Sequence, residues 1–312
     1  MATAIDGGAL PAVDLTGSAR RRIKEKLIQA AFLAAAAVSI VVAVGIVLSV
    51  VGNAIDFLGR ISPSQLLAGG WFPRQGDFGI ATLVAGTLIV TVIAMLVATP
   101  LGLGAAIYLA EYSSPRRRRV LKPIIEILAG IPSVVLGFFA LNVLSPDLIQ
   151  RLFSSATLFS LAAAGVGVGI LVTPLIASVA EDAMFAVPAG LREAAYGLGS
   201  RRRTTSLRVV FPAATSGIVA ALILGMSRAI GETMIVAIAA GATGNSLFTM
   251  NPLHYGQTMT TAMSSLAIGT DAVGGSAAAF PSLFFVGLLL FVITFSLNLV
   301  ADRFVRRVRQ RY

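Results

Sequence analysis

The stretch "EDAMFAVPAGLREAAYGLGSRRRTTSLRVVFPAATSG", residues 181–217, decides how this chain is read. Pro188 suits a helix start, because its fixed φ is already helical. Leu191, Ala194, Ala195 and Leu198 then recur at helical spacing and make one apolar face. Gly197 and Gly199 break the pattern. Thr204 to Val210 forms a second, basic helical piece, and Pro212 precedes a long apolar run. A short helix with an apolar face and basic flanks has two readings: an amphipathic connector at a membrane surface, or a docking element for the groove of a partner.

On both sides the sequence is strongly apolar. The chain has 312 residues, 56% hydrophobic and only 12% charged. Soluble domains carry roughly 25% charged residues, so the composition predicts a membrane protein crossing the bilayer several times. Apolar runs of about twenty residues can cross as helices. Six occur, at 27–51, 80–110, 121–144, 158–180, 213–241 and 281–301. The first follows a polar segment and is too long for a signal peptide, so it reads as an uncleaved helix. Pro100 is expected to bend or end the second run, and Pro132 and Pro174 to kink the third and fourth.

Charge sets the orientation. Twenty of the 24 Lys and Arg residues fall in four segments: before the first run, in 112–123, in 181–212 and in the tail. Only Arg60, Arg74 and Arg151 lie on the other side. The positive-inside rule then places both termini in the cytoplasm. The net charge of +10 is a topology signal and an attraction to the lipid bilayer surface; it does not point to nucleic acid. The expected organisation is a basic, partly disordered cytoplasmic segment (1–26), the first transmembrane helix with an external loop (27–79), a core of five transmembrane helices with the cytoplasmic loop 181–212 (80–303), and a basic cytoplasmic tail (304–312). The external segment 242–280 is expected to hold a short helix on or in the outer face. His254 within it reads as an ordinary polar loop residue.

One span carries charge. "MSRAIGETM", 226–234, places Arg228 and Glu232 inside an otherwise uncharged run of about thirty residues, Ala213 to Ala242. Charge at membrane depth is costly and marks function or pairing. At i and i+4 of a continuous helix the two would share a face and partly neutralise each other. A guanidinium matches an oxyanion through paired hydrogen bonds and stays charged in an apolar setting. Arg228 and Glu232, with the hydroxyls of Ser227 and Thr233, are therefore candidate substrate-pathway residues; a structural ion pair between helices is the competing reading. Gly217, Ala221, Gly225, Ala229, Thr233, Ala237 and Gly241 form a four-residue repeat of small side chains beside them, which permits close helix packing. Glu126 reads as a capping, partner-paired carboxylate early in the third span. Asn142 and Asn298 read as interhelical hydrogen-bonding groups.

The residues Glu193-Ala194-Ala195, then Gly199, then Val209, Phe211 and Pro212, resemble the EAA loop of ABC-importer permeases. The family pattern ends in Ile-x-Leu-Pro; here Val209 and Phe211 keep the apolar character. "EILAGIPSVVLGFFAL" (126–141), "REAAYGLGS" (192–200) and "SRAIGETMIVAIAAG" (227–241) together resemble permeases of the phosphate-uptake type, the C-type subunit more than the A-type. The resemblance implies an all-α fold of six transmembrane helices with the architecture of type I, MetI-like permeases. It implies that Glu193, Ala194, Ala195, Gly199 and Pro212 belong to a coupling helix seated in an ATPase subunit. It also implies a second permease subunit of the A type, two copies of the ATPase, an extracytoplasmic phosphate-binding protein, and phosphate as substrate.

No covalent chemistry is expected in this chain. It has no cysteine, a single histidine and no P-loop, so no cofactor or metal is expected on it; ATP with magnesium belongs to the partner ATPase. Physics alone leaves sulfate, molybdate and phosphonate open as substrates. It also leaves open an ion-coupled secondary oxyanion carrier using Arg228 and Glu232.

Overall fold

A computed structural model describes residues 19–241, 245–269 and 276–308. The predicted disorder before residue 19 and the end of the basic tail lie outside the described residues. The chain divides into two units, Met1–Ser49 and Val50–Tyr312. The first is the leading part of helix α1 (Ala19–Arg60), whose described side chains from Ile23 to Ser49 are all exposed. That stretch has no charged residue after Lys26, as a lipid-facing helix requires.

The second unit follows the end of α1 with a short turn of helix, α2 (Pro63–Leu66), and a hairpin, β1 (Gly70–Phe72) and β2 (Asp77–Phe78). Then come α3 (Ile80–Tyr112), α4 (Pro115–Leu128), α5 (Ser133–Leu152), α6 (Leu161–Phe185), α7 (Ala189–Gly197) and α8 (Arg202–Ala213). The chain continues through α9 (Thr215–Ile230), α10 (Met234–Ala240), β3 (Ser246–Leu247), α11 (Met259–Ile268) and α12 (Ala279–Val308). Five helices, α1, α3, α5, α6 and α12, are long and apolar enough to cross a membrane, and six spans result if the α8–α9 pair, bent by 72°, counts as one. The predicted all-α class stands, with one small antiparallel sheet added at the end opposite the basic loops. Its strand order is β2-β1-β3, and Trp71 pairs with both Phe78 and Ser246, so the segments 52–79 and 242–280 are stitched together. Trp71, Phe78 and Phe57 are fully buried there, with edge-to-face rings 5.0–5.8 Å apart.

Two spans differ from the hydropathy reading. The third run was expected at 121–144, but α4 is a separate amphipathic helix and the span begins only at Ser133. The reason is local. Pro132 disfavours helix at Ile131, and it stands at ψ 129° as the cap of α5. Pro132 therefore starts a span rather than kinking one. Pro100 neither ends α3 nor interrupts it; the helix runs on to Tyr112 through a π-turn at Tyr108–Tyr112. The fifth run was expected as one helix over 213–241. It is two, α9 and α10, with a break at 231–233. Gly231 is a poor helix former, and the Glu232 side chain competes for the next backbone amides.

The core is built on α6 lying against α3, α5, α9 and α10. A Cβ placed on Gly165 or Gly169 of α6 would stand 2.7–2.8 Å from Ile93 or Val97 of α3. The predicted small-residue stripe of α9 packs on the same helix: a Cβ on Gly217 would meet Ala183 at 2.3 Å, and one on Gly225 would meet Ile176 at 2.8 Å. Without these glycines the helices could not approach so closely. The short helix expected in 242–280 is present as α11, and its first turn and one face are buried, with Met259, Ala262 and Leu266 at about 1% exposure or less.

Candidate functional site

The break in the fifth span lies level with the middle of α6. Gly225 faces Val172 and Ile176 near the centre of that 25-residue helix, and Ile235 faces Gly167. Backbone at such a depth must be satisfied by protein. Here it is. Glu232 Oε1 accepts from the amides of Met234 at 3.2 Å and Ile235 at 3.4 Å, so the carboxylate sits on the N-terminal turn of α10. The Glu232 carbonyl accepts from the Thr260 hydroxyl of α11 at 3.0 Å. Met259 in turn donates its amide to Thr87 Oγ1 of α3 at 3.0 Å. The break is thus braced from two sides, and Glu232 is 6% exposed.

Arg228 sits in the last turn of α9, before the break, and is exposed. Among the described residues, its guanidinium has no ion pair and no hydrogen bond. The i, i+4 geometry of a continuous helix does not apply, because the helix ends between the two residues. Instead of the arginine, the carboxylate answers the amides of α10, where the helix dipole also favours negative charge. Ser227 bonds Asn298 of α12 at 2.9 Å, which makes Asn298 the interhelical group expected of it. Among the described residues, the Thr233 hydroxyl bonds only the Gly231 carbonyl, at 3.4 Å. Asn142 donates to Phe138 within its own helix and, among the described residues, makes no such cross-link.

The span α6 runs on to Phe185, so the loop expected at 181–212 begins only after it; its middle folds as the sequence predicts, a short helix followed by a basic one. α7 starts after Pro188 at ψ 136° and ends at Gly197; Gly199, two residues on, has a φ of +76°, a left-handed conformation that suits glycine. Glu193 and Ala194 are exposed, Ala195 is buried, and Leu198 is 89% exposed. Pro212 lies in the last turn of α8, just before the sharp bend into α9.

Two buried carboxylates that the sequence reading passed over hold this end together. Glu111, in the π-turn closing α3, accepts from Arg192 at 2.9 and 3.2 Å and from Ser206 at 3.3 Å. Glu181 of α6, fully buried, takes Arg118 at 2.5–2.6 Å and Lys122 at 2.8 Å from α4. Lys122 also reaches Asp182, and Arg118 stacks on Phe185 at 3.7 Å. Partial burial alone would lower the Lys122 pKa; the bonds to Asp182 and Glu181 outweigh it and hold the pKa above the ordinary lysine value. Glu126 lies in α4 rather than in the third span, and accepts from Ser178 at 3.5 Å. No local signal marks Glu111 or Glu181, whose partners lie 81 and 63 residues away. Among the described residues, no group of His, Cys, Asp and Glu has the makings of a metal site.

Residues 98–310 match the family model described as "Binding-protein-dependent transport system inner membrane component". The chain is 36% identical to the probable ABC transporter permease protein YqgH of Bacillus subtilis over 257 residues, 81% of each chain. It is 33% identical to the phosphate transport system permease protein PstC of Mesorhizobium japonicum over 328 aligned positions, 97% of each chain. PstC of Haemophilus influenzae is also 33% identical, over 85% of this chain and 88% of its own length. Solved structures share the fold. A chain of the inward-facing MetNI methionine ABC transporter superposes with a TM-score of 0.54 at 22% identity, covering 72% of this chain and 94% of that one. A chain of a bacterial ABC transporter that imports the acidic polysaccharide alginate gives 0.63 at 15% identity, covering 93% and 99%. With its spans, its EAA helix and these matches, the chain belongs to the family of inner membrane components of binding-protein-dependent transport systems, and is a multi-pass permease subunit.

Proposed function

We propose that this chain is the C-type permease subunit of an ATP-driven phosphate importer, and that Arg228 is its contact with the anion. The observation that carries the reading is Arg228 itself: a cation level with the middle of α6, exposed and unpaired, while the acid four residues on is committed to the amides of α10. A permanently charged, planar donor matches a tetrahedral oxyanion. Its exposed side is open to a second permease chain, of the A type, which would supply the other half of the pathway. The relatives named as phosphate permeases support phosphate over sulfate, molybdate or phosphonate.

In this reading the basic end, with α4, α7 and α8, faces the cytoplasm together with both termini. α7 offers Glu193, Ala194 and Leu198 to an ATPase subunit, two copies of which bind ATP with magnesium. The opposite end, with its small sheet and α11, receives an extracytoplasmic phosphate-binding protein. Closure of the ATPases then shifts the two α7 helices and turns the pathway from outward- to inward-facing.

The test is phosphate uptake by the reconstituted complex with its binding protein. Uptake is expected to require ATP, to resist sulfate and molybdate competition, and to be lost in Arg228→Gln with assembly intact. Uptake driven by a proton gradient without ATP would overturn the reading.

A further inference from the structure

We propose that Glu111 is a positioning residue that carries the motion of α7 into the α3 span; the inference rests on the importer reading above. The apolar anchorage of α7 is modest: Ala195 is buried and Leu191 packs, half-buried, on the cluster that holds Met184, Val187 and Val210, while Glu193, Ala194, Tyr196 and Gly197 are exposed. Its polar anchor is Arg192. That guanidinium donates to Glu111 Oε1 through Nε and Nη2, to the Val187 carbonyl at 2.7 Å and to the Met184 carbonyl at 2.8 Å. The two carbonyls belong to the last turn of α6 and the residues just after it, where the helical ladder runs out; that of Met184 also accepts from the Val187 amide at 3.3 Å.

The other oxygen of Glu111 accepts from Ser206 of α8. One carboxylate, 5% exposed, therefore joins the end of α3 to α7 and α8, and through Arg192 to the end of α6. Two of the three groups that meet there sit in π-turns: Glu111 in Tyr108–Tyr112 and Ser206 in Ser206–Val210. A π-turn inserts a residue into the helical ladder and redirects a side chain, and such turns recur at functional positions. α3 in turn lies along α6 through Gly165 and Gly169, and its Thr87 holds the first turn of α11, which braces the break beside Arg228. A push on α7 thus has a continuous, hydrogen-bonded route to the pathway. Glu181, as deeply buried at the same end, ties α4 to α6 and does not touch α7.

That contrast supplies the control. The full complex, in proteoliposomes with phosphate-loaded binding protein, is assayed for ATPase retention, ATP hydrolysis and phosphate moved per ATP. Glu111→Gln is expected to keep the ATPase bound and hydrolysing, while phosphate per ATP falls about tenfold, within the range of coupling between linked sites. Ser206→Ala is expected to lower the ratio about twofold, and it decides the matter if Glu111→Gln does not assemble. Glu181→Gln is expected to leave the ratio unchanged in whatever complex forms. A wild-type ratio in Glu111→Gln, or in Ser206→Ala if that variant must decide, would overturn the proposal, as would equal losses in Glu111→Gln and Glu181→Gln. If the unaltered complex shows no phosphate-dependent hydrolysis, the importer reading itself fails, before any variant is compared.

Discussion

At the basic end, the buried carboxylates Glu111 and Glu181 each take arginine or lysine partners; at the break between α9 and α10, the buried Glu232 takes backbone amides and leaves Arg228 unpaired. The same side chain thus serves two ends. Where cations surround it, a carboxylate makes a frame, and removing it strands buried charge. Where a helix restarts, it satisfies orphan amides, and the neighbouring cation stays available. A charged residue in a span is therefore understood by what its opposite number is doing, and spacing alone does not reveal that.

This contrast is open to attack at several points, in falling order of expected effect. Replacing Glu181 with alanine is expected to cost about 3 kcal/mol, near the low end for a broken buried pair because Arg118 and Lys122 remain partly solvated. Thermal unfolding of the purified chain in detergent reads this; a change below about 0.5 kcal/mol would mean that the frame is not electrostatic. Glu232→Ala is expected to cost about 1–2 kcal/mol, the loss of a helix cap, while Glu232→Gln, which keeps an oxygen acceptor, costs well under half of that. Equal losses in those two variants would show that the charge, and not the cap, matters at the break. Thr260→Val removes a bond to the Glu232 carbonyl, for about 1 kcal/mol. Hydrogen exchange at the amides of 232–235 is expected to quicken in it, and unchanged protection would detach α11 from the break. Ser227→Ala, which loses only the bond to Asn298, is expected to cost about 0.6 kcal/mol, the average for a hydrogen bond between membrane helices.

Much of this was legible in the residues. Hydropathy located the membrane segments, because a run of apolar side chains has no other stable home. The pattern from Pro188 to Gly199 gave α7 its start, face and stop, since each rests on local chemistry. The breaks at 129–132 and 231–233 were harder, because apolar run length outweighed short stop signals. "AGIPS" and "GET" do contain those signals: a proline that forbids helix before it, and a glycine followed by a capping acid. The pairing of Glu111 with Arg192 was not legible at all. It depends on the π-turn that holds Glu111 and on helices brought together by packing far along the chain.

The central claim is that Arg228 meets the anion while Glu232 holds the fold. ATP-driven uptake of labelled phosphate by complexes carrying Arg228→Gln or Glu232→Gln, each normalised to assembled complex, tests it most directly. A charge-assisted bond of up to about 3 kcal/mol predicts a fall of about 100-fold for Arg228→Gln and less than tenfold for Glu232→Gln. Equal losses in the two, or a loss in Arg228→Gln that follows loss of assembly, would contradict it.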